Sequence, residues 1–376
     1  MIQIQGEGVR RARIVGAGAY VPERAVCNTR IAEAIPGWTP ERIEEKIGIR
    51  ERRFLWDFDA ATGRAIAPEA AATATATEAP TCNSDMCEVA LRRALEMGGV
   101  DARELDAVFL VTCTPDELNF NHDAMELHRR LGCRTDCFAL VIDDGCGGTP
   151  YMMDMACRMI RGGTFRTIAV VGSAFSSPLM HREVCTDSVE PSPGRKALNA
   201  YLSMYVFGDG AGAVVLRGDT SARSGVLASM SGNDHADLVL RRGGGMVNLP
   251  YQERIRPADM AFVIDGYQVA RSYPVHMALC IESVLADHPE LADEVRRYYL
   301  HQPNKRLMDR FVADSGLPAD RIATNVARYG NTSAAGMLIL LAEDLEAGTV
   351  ALDSGDLVVV AAVGANVHYG AQLVRL

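Results

Sequence analysis

Apolar residues along this chain recur with two periods. Short unbroken runs read as buried strands: LDAVFLVTCTP (105–115), CFALVI (137–142), FRTIAVVGSA (165–174), GVLASMSG (225–232) and RRYYLHQPN (296–304). The closing stretch, GDLVVVAAVGANVHYGAQLVRL, reads as two buried strands joined through a glycine turn. Between these lie segments with helical spacing: 84–97 with a capping serine, 122–132, 266–286, 305–316 and the stretch after Asn331. In WTPERIEEKIGIRERRF, Thr39 suits a helix cap, Pro40 the first position and Gly48 the end, and GIRERR follows as a basic, solvated turn. The order of strands and helices predicts α/β layering with largely parallel sheets.

The stretch after CFALVI organises the rest. The strand runs into a small-residue turn, DDGCGGTP, and a helical pattern follows with Met152, Met153, Ala156, Met159 and Ile160 on one side. Cys146 sits at the turn, where the positive end of the helix is expected to favour its thiolate. The pattern then repeats. VFLVTCTPDELNF…LHRRLG parallels YYLHQPNKRLMDRFVADSG, and the cysteine segment parallels ATNVARYGNTSAAGMLILLAEDLEAG. Cys146 to Arg161 and Asn331 to Glu346 both span 15 residues. The repeat divides the chain into residues 1–217 and 218–376, with 217–225 as the boundary and the Ala/Thr/Pro-rich stretch 59–80 as an inserted surface loop or lid. Ligand sites in such sheets gather where strands end and helices begin, and Cys146, His301 and Asn331 all lie at such points.

Composition narrows the function classes. With 376 residues, 48% of them hydrophobic, the chain can bury a large core. A net charge of -10 argues against nucleic acid as a partner. No apolar run reaches membrane-spanning length and no signal peptide is evident, so a cytoplasmic location with reduced thiols is expected for the ten cysteines. Cys133 and Cys137 lack a second pair at zinc-site spacing, so no metal is expected. Gly16 and Gly18 hint at a dinucleotide loop, but no third glycine follows and Pro22 blocks an immediate helix. GDGAGA in YVFGDGAGAVVLRG (205–218) lacks a following helical pattern. Its glycines are expected to allow a bulge or close backbone approach between two buried runs.

The stretches IVGAGAYVPE, GIRERR, the cysteine turn, FGDGAGAVVL, HQPN, YGNTSAAG and the closing strands, in that order over nearly the whole chain, resemble the ketoacyl-ACP synthase III type of thiolase-fold condensing enzyme. The resemblance implies a five-layered αβαβα fold from two duplicated halves, a homodimer, and a Cys146–His301–Asn331 site. It implies an acyltransferase with no permanently bound cofactor, using acyl-CoA or acyl-ACP thioesters as substrates and an acyl carrier protein as partner. Its expected reaction loads an acyl group onto Cys146 and condenses it, with loss of CO2, with a malonyl-type thioester in specialised polyketide or fatty-acid-type biosynthesis. Backbone N–H groups at Cys146 and Ala365 would hold the oxyanion, Asn331 would stabilise an enolate, and His301 would donate to it or act as a base. Transfer of the acyl group to a hydroxyl or amine is the alternative, and a non-catalytic scaffold a third. Lys305, Arg306 and Arg310 on one helix, with Asn304 before it, are candidates to dock phosphopantetheine or an acidic carrier. Phe120 falls where the family often closes the acyl pocket across the dimer.

The chain also departs from that family. Where members that use coenzyme A often carry a tryptophan and an arginine, Arg42 and Lys46 stand here, with Trp38 one turn earlier. The arginine expected after the VVGS strand is replaced by SAFSSP, and the glycine triplet near the C-terminus reads GAN (364–366). These changes point away from initiation with acetyl-CoA and toward a different donor, carrier or acceptor.

Overall fold

The computed structural model describes residues 10–68, 79–118, 120, 122–187, 197–220, 224–235, 238–241 and 243–376. The first sheet contains β1 (Arg11–Tyr20), β2 (Ala107–Thr112), β3 (Phe138–Asp143), β4 (Thr167–Ala174) and β5 (Gly210–Asp219), in the order β1-β5-β4-β2-β3. β2, β3 and β4 run parallel, while β5 is antiparallel to both β1 and β4. The second sheet contains β6 (Gly225–Asn233), β7 (Val295–Leu300), β8 (Leu357–Val363) and β9 (His368–Arg375), in the order β6-β9-β8-β7. A bridge from Tyr298 to Ile322 stands beside β7 where β3 stands beside β2. Each sheet thus repeats one topology.

Helices α1 (Asn83–Gly98) and α2 (Asp123–Leu131) cover the outer face of the first sheet, and α4 (Gly266–Leu285) and α5 (Lys305–Ser315) lie outside the second. Helices α3 (Gly148–Arg161) and α6 (Gly336–Glu346) are sandwiched between the sheets. α6 is apolar where it is enclosed, with Met337 to Ala342 all buried, while α3 buries Met152, Met153, Ala156 and Ile160 and leaves Met155 and Arg158 exposed. The layers are those of the thiolase-like αβαβα fold.

Several local expectations hold. Thr39 accepts the Arg42 N–H at the start of helix Pro40–Ile47, and Gly48 ends it at φ 68°. Gly16 and Gly18 lie within β1 where a Cβ would strike the backbone of α1, so they serve close strand–helix packing and form no phosphate loop. Others are corrected. α1 begins at Asn83 with Cys82 as its cap residue, and the Asp116 carboxylate from a distant loop accepts the Asn83 and Ser84 amides. Tyr205 belongs to a short helix, Tyr201–Val206, so only one strand emerges from 205–218. Residues 57–66 form a small hairpin, Asp57–Asp59 with Arg64–Ile66; of the rest of the expected insertion, 69–78 lie outside the described residues. The basic turn is not solvated throughout: Arg52 is 0% exposed, its guanidinium donating to the Val26 and Tyr205 carbonyls and to Asn28 Oδ1.

The loop after that helix determines where Asn331 sits. The Asn331 N–H donates to the Val206 carbonyl at 2.8 Å, and the Gly208 N–H returns a bond to the Asn331 carbonyl at 3.1 Å. A Cβ at Gly208 would run into the Tyr329 carbonyl. Gly208→Ala is therefore expected to cost about 1–3 kcal/mol, measured by denaturant unfolding. An unchanged midpoint would show that the loop has room to yield.

Candidate active site

Two cavities meet at Cys146. The first, of about 470 Å³, is lined by Cys146, His301 and Asn331 at its inner end and by Lys46, Arg306 and Arg310 among its other walls. The second, of about 790 Å³, extends from Cys146 past Asp143, Asp144, Arg241, Leu140 and His368. Ala365 lines both.

Each of the three side chains Cys146, His301 and Asn331 stands just past the end of a strand or before a helix. Cys146 follows β3 and precedes α3 by two residues. His301 follows β7, its N–H donating to the Ala361 carbonyl of β8 at 2.8 Å and its carbonyl accepting the buried Tyr273 hydroxyl at 2.6 Å. Asn331 precedes the single turn 333–335 that opens α6. The two helix starts are tied together by Thr149 Oγ1, which donates to the Ala334 carbonyl at 2.7 Å.

Ser333, in the left-handed region at φ 46°, touches all three. Its N–H donates to Asn331 Oδ1 at 2.8 Å, and its Oγ lies 3.4 Å from Cys146 Sγ. A backbone bond also links it to the His301 ring. The Ser333 amide settles the orientation of Asn331: the oxygen is occupied, so the NH2 group faces the thiol and hydrogen-bonds to it.

The electrostatics differ from the sequence expectation. Burial pushes the Cys146 thiol up to about 11, against the bonds from Ser333 and Asn331, and the Asp144 carboxylate adds to the rise. The expected lowering at a helix start operates instead at exposed Cys27, the cap residue of helix Asn28–Ala34, where the Arg30 amide draws the thiol below its ordinary value. Burial also drives His301 down to about 3, so its imidazole is neutral at physiological pH, with a hydrogen bond to Ser333 working weakly the other way.

The other predicted residues divide. Lys46, Arg306 and Asn304 line the smaller cavity, and Asn304 Oδ1 also caps α5 by accepting the Leu307 N–H at 2.9 Å. Lys305 does not line it and is ion-paired with Asp309. Trp38 lies behind the wall, its ring 4.7 Å from that of Tyr205 and beneath the Arg42 guanidinium. Phe120 is 90% exposed and lines neither cavity; Leu118 lines the larger one. Ala365 is beside the thiol because Gly364 packs directly on Gly147, too close for any Cβ at either position. Asn366 takes φ 71°, a conformation that asparagine tolerates better than most residues, which lets it replace a glycine.

Sequence reasoning passed over Ser333, Arg241 and the pair Asp144–His368, whose Nδ1 to Oδ2 distance is 2.7 Å. The doubled aspartate before Cys146 and the lone histidine in the closing strands were the available signals. Among the described residues no group of His, Cys, Asp or Glu could hold a metal ion, and no helix is long and apolar enough to cross a membrane.

These thiols differ enough to be told apart by alkylation. At neutral pH, iodoacetamide should label Cys27 well before Cys146. The Cys146 rate should rise about tenfold per pH unit until it levels near pH 11, because only the thiolate reacts. Peptide-resolved mass spectrometry reads both; faster labelling of Cys146 at pH 7 would contradict the burial described.

Residues 142–235 match the family described as 3-oxoacyl-[acyl-carrier-protein (ACP)] synthase III, and residues 285–376 match its C-terminal family. The chain is 30% identical to a beta-ketoacyl-[acyl-carrier-protein] synthase III of Rhizorhabdus wittichii, over 98% of this chain and 100% of that one. It is 32% identical to the protein of that name from Geobacillus kaustophilus, over 97% and 98% respectively. The crystal structure of 3-oxoacyl-(acyl carrier protein) synthase III from Pseudomonas aeruginosa superposes with a TM-score of 0.77 at 24% identity, covering 97% of this chain and 98% of that one, a likeness of fold. With full-length identity at this level and the family's fold in place, the chain belongs to the beta-ketoacyl-[acyl-carrier-protein] synthase III family of acyltransferase-type condensing enzymes.

Proposed function

We propose that the protein loads an acyl group from a thioester onto Cys146 and condenses it with a malonyl-type thioester, with loss of CO2. The observation that carries this reading is the orientation of Asn331, whose amide NH2 faces the thiol because Ser333 occupies its oxygen. In the first step the Cys146 sulfur attacks the thioester carbonyl, and the carrier thiol departs with the proton that the cysteine gives up. Backbone N–H groups of Cys146 and Ala365 receive the oxyanion. In the second step the carboxylate of the extender leaves as CO2, and its bonding pair passes into an enolate. Asn331 Nδ2 donates to the enolate oxygen, and neutral His301 gives that oxygen its single ring N–H in exchange for the Ser333 backbone. The enolate carbon then attacks the acyl carbonyl and displaces the Cys146 sulfur.

The smaller cavity suits the phosphopantetheine arm of coenzyme A or of an acyl carrier protein. Lys46 and Arg306 line it and make no ion pair among the described residues, which leaves two cations for an anionic carrier. A homodimer is supported by β3, an edge strand bonded on one side only, with Phe138 62% and Leu140 49% exposed. Such an edge invites cover by a second copy. The chain is read as two halves, 1–217 and 218–376, that divide at the end of β5.

Intact-mass analysis after incubation with acyl thioesters tests the loading step. An adduct is expected on the wild type and none on Cys146→Ala. With malonyl thioester added, Asn331→Ala should still acylate but release CO2 about 10²- to 10³-fold more slowly. Equal loss of both steps would remove the role given to Asn331.

A further inference from the structure

The cavity on the far side of Cys146 is not built for a plain alkyl chain. Its wall is apolar at Leu118, Met125 and Leu140 but interrupted by Arg241 and by His368 with Asp144. Arg241 stacks its guanidinium 5.3 Å from the centre of the Phe262 ring, and its buried Nε has no hydrogen-bond partner among the described residues. Nε is closed off from the cavity, so contact with a bound oxygen falls to the rest of the guanidinium, which lines the cavity wall. His368 supplies the opposite character. In the tautomer that donates Nδ1–H to Asp144 Oδ2, 2.7 Å away, Nε2 is an acceptor on the cavity wall. The pair is held in place: the His368 carbonyl accepts the Gly364 N–H at 2.7 Å, and the Tyr151 ring lies 5.5 Å from the imidazole. Asp144 is itself two residues from the nucleophile. At about 790 Å³ the cavity is of the size that encloses a drug-sized ligand and far exceeds an acetyl group.

We propose that the acyl group carried on Cys146 is an oxygenated chain, bearing hydroxyl or keto substituents, with His368 accepting a hydrogen bond from a hydroxyl and Arg241 donating one to a carbonyl or hydroxyl oxygen. The inference rests on the acyl-enzyme reading above and names the substrate class for it. The smaller cavity takes the carrier arm, so the larger one is left for the acyl group. A polar wall there selects by leaving its own groups unpaired when an alkyl chain binds, a stronger discrimination than an apolar wall achieves.

Pantetheine thioesters of octanoate, 3-hydroxyoctanoate and 3-oxooctanoate test this. The rate of Cys146 acylation is followed by intact mass, and kcat/KM is compared. At least one oxygenated chain should load about tenfold or more faster than octanoyl. His368→Leu should lower the hydroxy-to-octanoyl ratio toward one, Arg241→Leu should do the same for the oxo chain, and His368→Gln, which keeps an acceptor, should restore part of the hydroxyl preference. Octanoyl loading as fast as both oxygenated chains on the wild type overturns the inference while leaving the acyl-enzyme reading intact. Ratios unchanged in both Leu variants overturn the assigned residues. An absence of adduct with every thioester overturns both readings. If a variant fails to fold, the wild-type comparison alone decides.

Discussion

The site depends on two helix starts that pack against neighbouring backbone more closely than side chains would allow. α3 and α6 are buried between the sheets and open on turns made of glycine, alanine, serine and threonine. A Cβ at Gly147 would collide with the His368 carbonyl, one at Gly172 with the Ala334 carbonyl, and one at Gly212 with the start of α6. The hydroxyl of Thr149 then bonds the Ala334 carbonyl directly. Every distance at the thiol follows from that approach, because Cys146 and Ser333 are carried on the two turns that meet.

Ser333 converts this packing into chemistry. One residue orders the carboxamide, contacts the sulfur and bonds the imidazole, and it does so from a left-handed conformation that serine adopts only at some cost. The strain is borne by the surrounding close-packed backbone. Burial at this junction explains the electrostatics as well. Removing water raises the thiol and suppresses the imidazolium, so the resting site holds neutral groups. The dipole of a single helix start is the smaller effect here, and it prevails only at Cys27, where the thiol is exposed.

The two cavities divide the remaining surface by charge. Cations line the smaller one, while the larger combines an apolar wall with a guanidinium, two carboxylates and an imidazole. Of the residues that depart from the expected family pattern, Ala365 and Asn366 line this larger cavity and Lys46 lines the smaller one. Asn366 replaces a glycine by taking the backbone conformation that the glycine would have taken, so the turn is kept while its lining becomes polar.

Much of the fold was legible in the chain itself. Apolar runs of strand length, helices marked by Thr39, Pro40 and Gly48, and the equal spacing of the Cys146 and Asn331 segments specified an α/β duplication, because local periodicity and turn chemistry act over a few residues. The strand-end positions of Cys146, His301 and Asn331 were readable for the same reason. The tertiary structure alone decided that Asp116 caps α1, that Arg52 is buried among distant carbonyls, that Ser333 links Cys146, His301 and Asn331, and that His368 meets Asp144 across 224 positions of sequence. Such pairings are set by which backbones can pack closely, and the thiol's raised pKa by how much water that packing removes; neither quantity is carried by the residues near a position in sequence.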